Sequence, residues 1–241
     1  MPFTKTFNPG EILTAGDVNE HLLNGGYQFR EQVRFTSSGT FVKADFPWLR
    51  AIRVRVQAGG GGGGGAATSS SGQAALGSGG GGGGYAESFI TDIAGLPASV
   101  TVTRGDGGAG AAAGNNNGAT GGTSSFGSLT VATGGLGGFG SGPATTNQRA
   151  GRDGGVGTTG DLLIPGGASG QVTFAAAASI FVMQNAGDSF FGAGARGQVD
   201  VGDGFVGRAF GGGGGGGTTA NSPQRPGGAG ANGIVILDLF G

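Results

Sequence analysis

Apolar positions follow different rules in successive parts of the chain. In "LTAGDVNEHLLNGG" they keep helical spacing. Thr14 stands as N-cap with Asp17 at N3, the spacing of a capping box. Leu13 and Val18 fall at N′ and N4, the hydrophobic-staple positions. Val18 and Leu22 share a face at i, i+4. Gly25 and Gly26 end the segment as C-cap glycines do. The pattern predicts a short N-terminal α-helix. So short a helix is marginal alone, so its stripe docks on the rest of the chain or on a partner.

Beyond residue 30 the period changes to two. In "QVRFTSSGTFVKADFPW", Val33 and Phe35 alternate with polar residues, Ser37–Gly39 signals a turn, and Phe41–Val42 resume an extended run. This predicts a β-hairpin, with Pro47 stopping the second strand. "RAIRVRVQ" alternates cleanly. Ile52, Val54 and Val56 point one way and Arg53, Arg55 and Gln57 the other. That is a half-buried strand whose cationic face is solvated.

From Gly59 to Gly233 the pattern breaks into glycine-rich stretches at 59–65, 79–84, 105–114, 134–142, 151–157, 192–197, 211–217 and 227–233. Short strand-like pieces lie between them: "ESFITDI", "SVTVTR", "SLTVAT" and "QVTF". The low-glycine insert Ala175–Phe190 reads as strand or helical turn. The chain closes with the apolar strand "GIVILDLF", which is expected to pair with the strand that opens the block.

Composition bears directly on the glycine runs. Of 241 residues, 63 are Gly, 11% are charged and the net charge is -1. So little charge neither holds a chain open by repulsion nor supplies the basic stripe that nucleic acid requires. With 36% hydrophobic residues, the core is small or built from something other than side chains. The absence of Cys excludes disulfides and thiolate metal sites. The start has no apolar h-region, and no apolar run approaches the ~20 residues of a membrane span, so neither a signal peptide nor membrane insertion is expected.

Two accounts of the runs compete. One is a flexible linker. The other is a packed bundle of polyglycine-II helices, with three residues per turn, a rise of about 3.1 Å and no internal hydrogen bonds. Without Cβ atoms, neighbouring helices bond backbone to backbone. The 16 Phe favour packing, because disorder would leave rings such as Phe126, Phe139, Phe190, Phe191, Phe205 and Phe210 in water. An unbroken run such as Gly59–Gly65 is then expected at the centre. The interrupted stretch 151–157, carrying Arg152, Asp153 and Val156, is expected at the edge. The expected fold is mainly β with irregular glycine-rich structure: a small β-sandwich or collar, the glycine bundle and the N-terminal helix.

Four blocks in order carry a resemblance: "GTFVKADFPWLRAIRVRVQAGGGGGGG", "GGGGGGYAES", "SSFGSLTVATGGLGG" and the closing "GGAGANGIVILDLF". Together they resemble the glycine-rich domain of bacteriophage tail fibre and minor tail proteins, over about 39–241. The start, "FNPGEILTAGDVNEHL", is similar over a shorter stretch to the tail-attachment helix of such proteins. The resemblance implies a tail component of the virion. Residues 1–38 would attach to other tail or baseplate proteins through Leu13, Val18 and Leu22. Residues 39–241 would form the glycine-rich domain that contacts a host surface glycan or outer protein. It also implies an assembly of identical copies, and phage fibres are commonly trimers. The alternative is a purely structural tail-tip protein without receptor contact.

No enzymatic chemistry is marked. His21 is the single histidine and falls in the N-terminal helix, so no Ser-His-Asp set can be built. No motif marks a carboxylate pair for glycoside hydrolysis. "RGDGG" at 104–108 reads as a chance match to an integrin motif. "DVGDG" at 200–204 lacks the ligand spacing of a calcium loop, and no Lys-Ser/Thr follows a glycine run as in a P-loop. Neither a cofactor nor a metal is expected. Four small polar segments remain: 67–78, 115–125, 143–150 and 218–226. Their Asn, Gln, Thr and Arg side chains suit sugars or exposed protein loops, and loops on a rigid scaffold are where recognition concentrates. Asn115, Asn116, Asn117, Gln148, Arg149, Gln224 and Arg225 are the contact candidates.

Overall fold

The computed structural model describes residues 26–175, 180–182 and 185–241. The expected N-terminal helix, with Leu13, Val18, Leu22 and His21, lies outside the described residues. Within them the chain is mainly β, and its one helical element is a 3-10 turn at Lys43–Asp45.

Two five-stranded antiparallel sheets face each other. The first runs in the order β1 (Phe29–Phe35), β15 (Ile234–Phe240), β3 (Ala51–Gln57), β5 (Tyr85–Ile90), β11 (Leu162–Ile164). The second runs β10 (Gly157–Thr159), β8 (Thr130–Ala132), β7 (Ser124–Phe126), β6 (Ser99–Thr103), β2 (Gly39–Val42). Between them lies one apolar cluster. Ile52, Val54, Val56, Ala86, Val235, Leu237 and Leu239 enter from the first sheet. Phe41, Val100, Val102, Phe126 and Ala132 enter from the second. The alternation in 52–56 thus places Ile52, Val54 and Val56 inward, and the closing strand does pair with the opening one, Leu237 opposite Val54.

The expected hairpin does not form. β1 pairs with β15, and β2 pairs with β6 in the other sheet. Residues 36–38 cross between the sheets, so Phe35 and Phe41 pack on the core from opposite sides. A hairpin would have kept both on one sheet. Phe41 stacks on Phe46 at 5.4 Å and meets Phe126 edge-on, which fixes the crossing.

β3, β6 and β8 continue beyond the sandwich as glycine-rich segments, and the segments of the lattice bond to one another chiefly backbone to backbone. The run 59–65 shows the rule. Gly59, Gly62 and Gly65 donate to Gly122, Ala119 and Asn116. Gly60, Gly63 and Ala66 donate to Ala231, Gly228 and Arg225, while Gly61 and Gly64 donate to Gly81 and Ser78. Every third N–H thus serves the same neighbour. The carbonyls repeat the period toward three other segments: Gly60 and Gly63 accept from Gly108 and Ala111, Gly59 and Gly62 from Gly135 and Gly138, and Gly61 and Gly64 from Gly214 and Gly217.

The three unbroken glycine runs are mutual neighbours. Gly61 donates to Gly81, Gly80 to Gly214, and Gly214 to Gly61, at 2.9, 2.9 and 2.8 Å. All three runs are buried. A Cβ on Gly62 would lie 2.1 Å from the Ala109 carbonyl oxygen, and one on Gly63 1.9 Å from that of Gly215. Glycine is required here by close approach of backbones, with no need for unusual φ. The interrupted stretch 151–157 lies outside this triangle. Asp153 and Val156 are exposed, and the Arg152 guanidinium covers the Phe139 ring at 4.1 Å.

Gln57 sits where the sandwich meets the lattice. It is fully buried, and its Nε2 donates to the carbonyls of Gly83 and Gly84 at 2.9 and 3.1 Å. The alternation of β3 places it on the outward face, but the lattice covers that end of the strand.

Candidate functional site

Segments of the lattice run alternately away from and toward the sandwich. Gly60 pairs with Gly108 and Gly63 with Ala111, so 105–114 runs parallel to 59–65. Gly62 pairs with Ala119 and Gly59 with Gly122, so 116–122 runs back. Stretch 225–231 also runs back, whereas 134–141 and 211–217 run outward. The turns joining outward to returning segments therefore gather at the end remote from the sandwich. Segments 143–150 and 218–226, most of 67–78 and the first residues of 115–125 lie at that end, whereas the rest of 115–125 returns to the sandwich, where Ser124 and Ser125 stand on β7.

Asn115, Asn116 and Asn117 form the exposed turn from 105–114 into 116–122. Asn116 Nδ2 donates to Ala113 O at 3.1 Å, and Asn117 Oδ1 accepts from the Gly140 amide at 2.9 Å. These two carboxamides hold the turn. The Asn115 side chain makes no hydrogen bond among the described residues.

Gln224 and Arg225 belong to the adjoining loop. Arg225 and Ala66 exchange backbone bonds at 2.9 Å. Gly114 abuts both regions, since a Cβ there would lie 3.0 Å from Asn116 Nδ2 and 3.5 Å from Gln224 Oε1. Arg225 faces Asp203 at 3.4 Å, a partner no local pattern discloses, because it comes from another loop. Asn221 holds φ 47, a left-handed geometry that Asn adopts more readily than most residues.

Gln148 and Arg149 stand on β9 (Thr146–Arg149), in a three-stranded sheet with β12 (Val172–Ala175) and β13 (Ile180–Val182). Gln148 is exposed and lies opposite Thr173. Paired backbone bonds between Ala74 and Ala144 tie this sheet to the rest of the end. Asn115–Asn117 and Gln224–Arg225 thus surround the end of the central run, with Gln148 and Arg149 alongside.

The segments are less loop-like than their composition suggests. Ala74–Leu76 is a strand, β4, paired with β14 (Thr218–Ala220). Ala74, Leu76, Val172 and Phe174 form a second small buried cluster beneath the turns. Thr218 and Thr219 are buried, and Thr219 Oγ1 donates to Ala67 O at 2.8 Å. These threonines support the end rather than face outward.

Near the sandwich, the outer face of the first sheet is charge-balanced instead of freely cationic. A single nitrogen of Arg55, Nη2, reaches both Asp238 carboxylate oxygens at 2.8 and 3.0 Å, and Gln32 Nε2 donates to the same carboxylate at 2.7 Å. Arg53 pairs with Glu87 at 2.6 Å, and Tyr85 Oη donates to Glu87 at 2.5 Å. Burial alone would raise the Glu87 pKa, but the bonds from Arg53 and Tyr85 outweigh it and hold the carboxyl below its ordinary value. Burial and the bond to Glu87 push the Tyr85 phenol up. Phe190 stacks on Tyr85 at 4.1 Å yet stays 51% exposed. In "RGDGG", Arg104 pairs with Asp106 itself, so the motif is folded back on its own charges.

Among the described residues no group of His, Asp and Glu is placed to hold a metal ion, and no helix is long and apolar enough to cross a membrane. The architecture defines a mainly antiparallel-β protein with a large glycine-rich domain. A family model described as "Glycine-rich domain" matches residues 36–239, and the chain belongs to that family. No curated protein matches the chain.

Proposed function

We propose that this chain is a receptor-binding or tail fibre protein of a bacteriophage virion. In this reading residues 1–38 attach it to other tail or baseplate proteins through Leu13, Val18 and Leu22. The glycine-rich domain then presents its turn-bearing end to a glycan or protein on the host surface. The chain acts by binding and not by catalysis, and its copies assemble into an oligomer. Its glycine segments are polyglycine-II helices, a reading supported by the period-three backbone bonding.

The observation that carries the functional reading is the convergence of Asn115–Asn117, Gln148–Arg149 and Gln224–Arg225 at the end opposite the sandwich. A rigid scaffold that collects polar turns at one end suits recognition.

Competition tests it. Bacteria incubated with the purified protein should adsorb fewer particles of the phage that encodes it, and plaque counts should fall with protein concentration. Unchanged counts, with the protein nonetheless present in purified virions, would favour a structural tail-tip role.

A further inference from the structure

One flank of the lattice combines features that the turn-bearing end lacks. Stretches 192–197 and 202–208 each bond to only two neighbouring segments, 185–189 and 211–217 for the first and 225–231 and 211–218 for the second. Gly204 and Gly207 donate to Pro226 and Ala229 at 3.0 and 2.9 Å, and the Phe205 carbonyl accepts from Gly215 at 2.8 Å. The amides of Val206 and Arg208, on either side of Gly207, donate to no group among the described residues. The period of three that satisfies an interior segment leaves an edge segment with outward-facing N–H groups.

Two cations stand beside those amides. Arg53, Arg55, Arg104 and Arg225 each face a carboxylate. Arg196 and Arg208 face none among the described residues, and both are exposed. The Arg196 guanidinium lies over the Phe205 ring at 4.3 Å, and its N–H groups make no hydrogen bond among the described residues. Val206 is 66% exposed. Arg196, Phe205, Val206 and Arg208 line an open recess of about 390 Å³, within the size range of small-ligand sites.

We infer that this recess binds a sugar residue bearing a carboxylate, such as a uronic acid within an acidic polysaccharide. A guanidinium held beside an aromatic ring matches a planar carboxylate through two parallel N–H···O bonds. The second arginine adds charge, the free amides suit ring hydroxyls, and Val206 offers an apolar surface to the sugar's C–H face. Both arginines are exposed on a chain whose net charge is only -1, so the pair is a local feature and not part of a basic stripe. The inference rests on the adhesion reading and names a ligand class for it at a second surface.

The test is calorimetric titration of the full chain with trigalacturonic acid, galactotriose, a triglutamate peptide and inorganic phosphate. Trigalacturonic acid should bind at least about tenfold more tightly than each of the other three, a difference of ~1.4 kcal/mol. Arg196→Gln and Arg208→Gln should each weaken it about tenfold without moving the melting temperature, because both side chains are exposed. Arg196→Lys, which keeps the charge but loses the fork, should recover only part of the affinity. Equal binding of triglutamate or phosphate would overturn the inference in favour of a plain charge patch. Binding of no probe, or unaltered affinity in the double Gln variant, would overturn it outright. Adsorption of labelled protein to host cells separates the two proposals. A double variant that adsorbs like the parent removes this inference and leaves the adhesion reading, whereas sugar binding without adsorption does the reverse.

Discussion

The sandwich and the glycine lattice solve the same problem with opposite materials. In the sandwich, Ile52, Val54, Leu237, Leu239, Phe41 and Phe126 exclude water by side-chain area, at roughly 25 cal/mol per Å² of apolar surface. In the lattice almost no side chain takes part. Each segment gains backbone hydrogen bonds, worth ~1 kcal/mol apiece in net stability, against an ordering cost of about 1–2 kcal/mol per residue. The comparison teaches where tolerance lies. A side-chain core accepts a neighbouring shape at modest cost, whereas the lattice accepts no added side chain, because its contacts are between main chains that cannot repack.

The largest effect should come from adding a side chain to the lattice. Gly62→Val forces atoms to within about 2 Å of the Ala109 carbonyl and should lose cooperative thermal unfolding, exceeding the ~1–3 kcal/mol typical of an overfilled side-chain core. A variant that melts like the parent would remove the close-packed account of the run. Leu237→Ala, at the centre of the sandwich, should destabilise by about 2–5 kcal/mol in denaturant titration while leaving amide exchange across 59–65 slow relative to 67–73. If exchange there rises as much as in the sandwich, the two regions unfold as one unit.

Gln57→Leu joins the regions in one test. It leaves the Gly83 and Gly84 carbonyls without their side-chain donor and should cost about 1–3 kcal/mol. The smallest effect concerns Glu87. Its folded pKa lies below the ordinary 4.5, so its stabilising contribution is complete above that value and disappears as pH falls through the folded pKa. Glu87→Gln should flatten this part of the acid limb while changing stability at neutral pH by less than about 1 kcal/mol, as for other partly exposed pairs. An acid limb identical to the parent's would show that Arg53 and Tyr85 do not hold the carboxylate in solution.

Local patterns disclosed those parts of the fold that depend on local rules. Alternation placed Ile52, Val54 and Val56 inward, and unbroken glycine located 59–65 in the interior while the interruptions of 151–157 located it outside. Pairing was hidden, because the turn-like Ser37–Gly39 can equally close a hairpin or cross between sheets, and only Leu237 and Val100 on distant strands decide. Gln57 was hidden for a related reason: its burial depends on the carbonyls of residues 83 and 84. In the candidate site, Asn115, Gln148 and Gln224 could be picked by composition, and all three are exposed. Thr218 and Thr219 share that composition but are buried, since polarity alone does not tell a supporting hydroxyl from a presented one.

The period of three along 59–65 has a consequence for how the chain finds its place. Translating one glycine segment by a full turn exchanges every interior bond for an identical one, so the lattice by itself is degenerate. Its members carry no address. The address must be written where the chain stops being glycine: in Gln57 and Tyr85 at one end, and in Ala74, Leu76 and Thr219 at the other. Those few boundary side chains select one alignment from a ladder of equivalent ones.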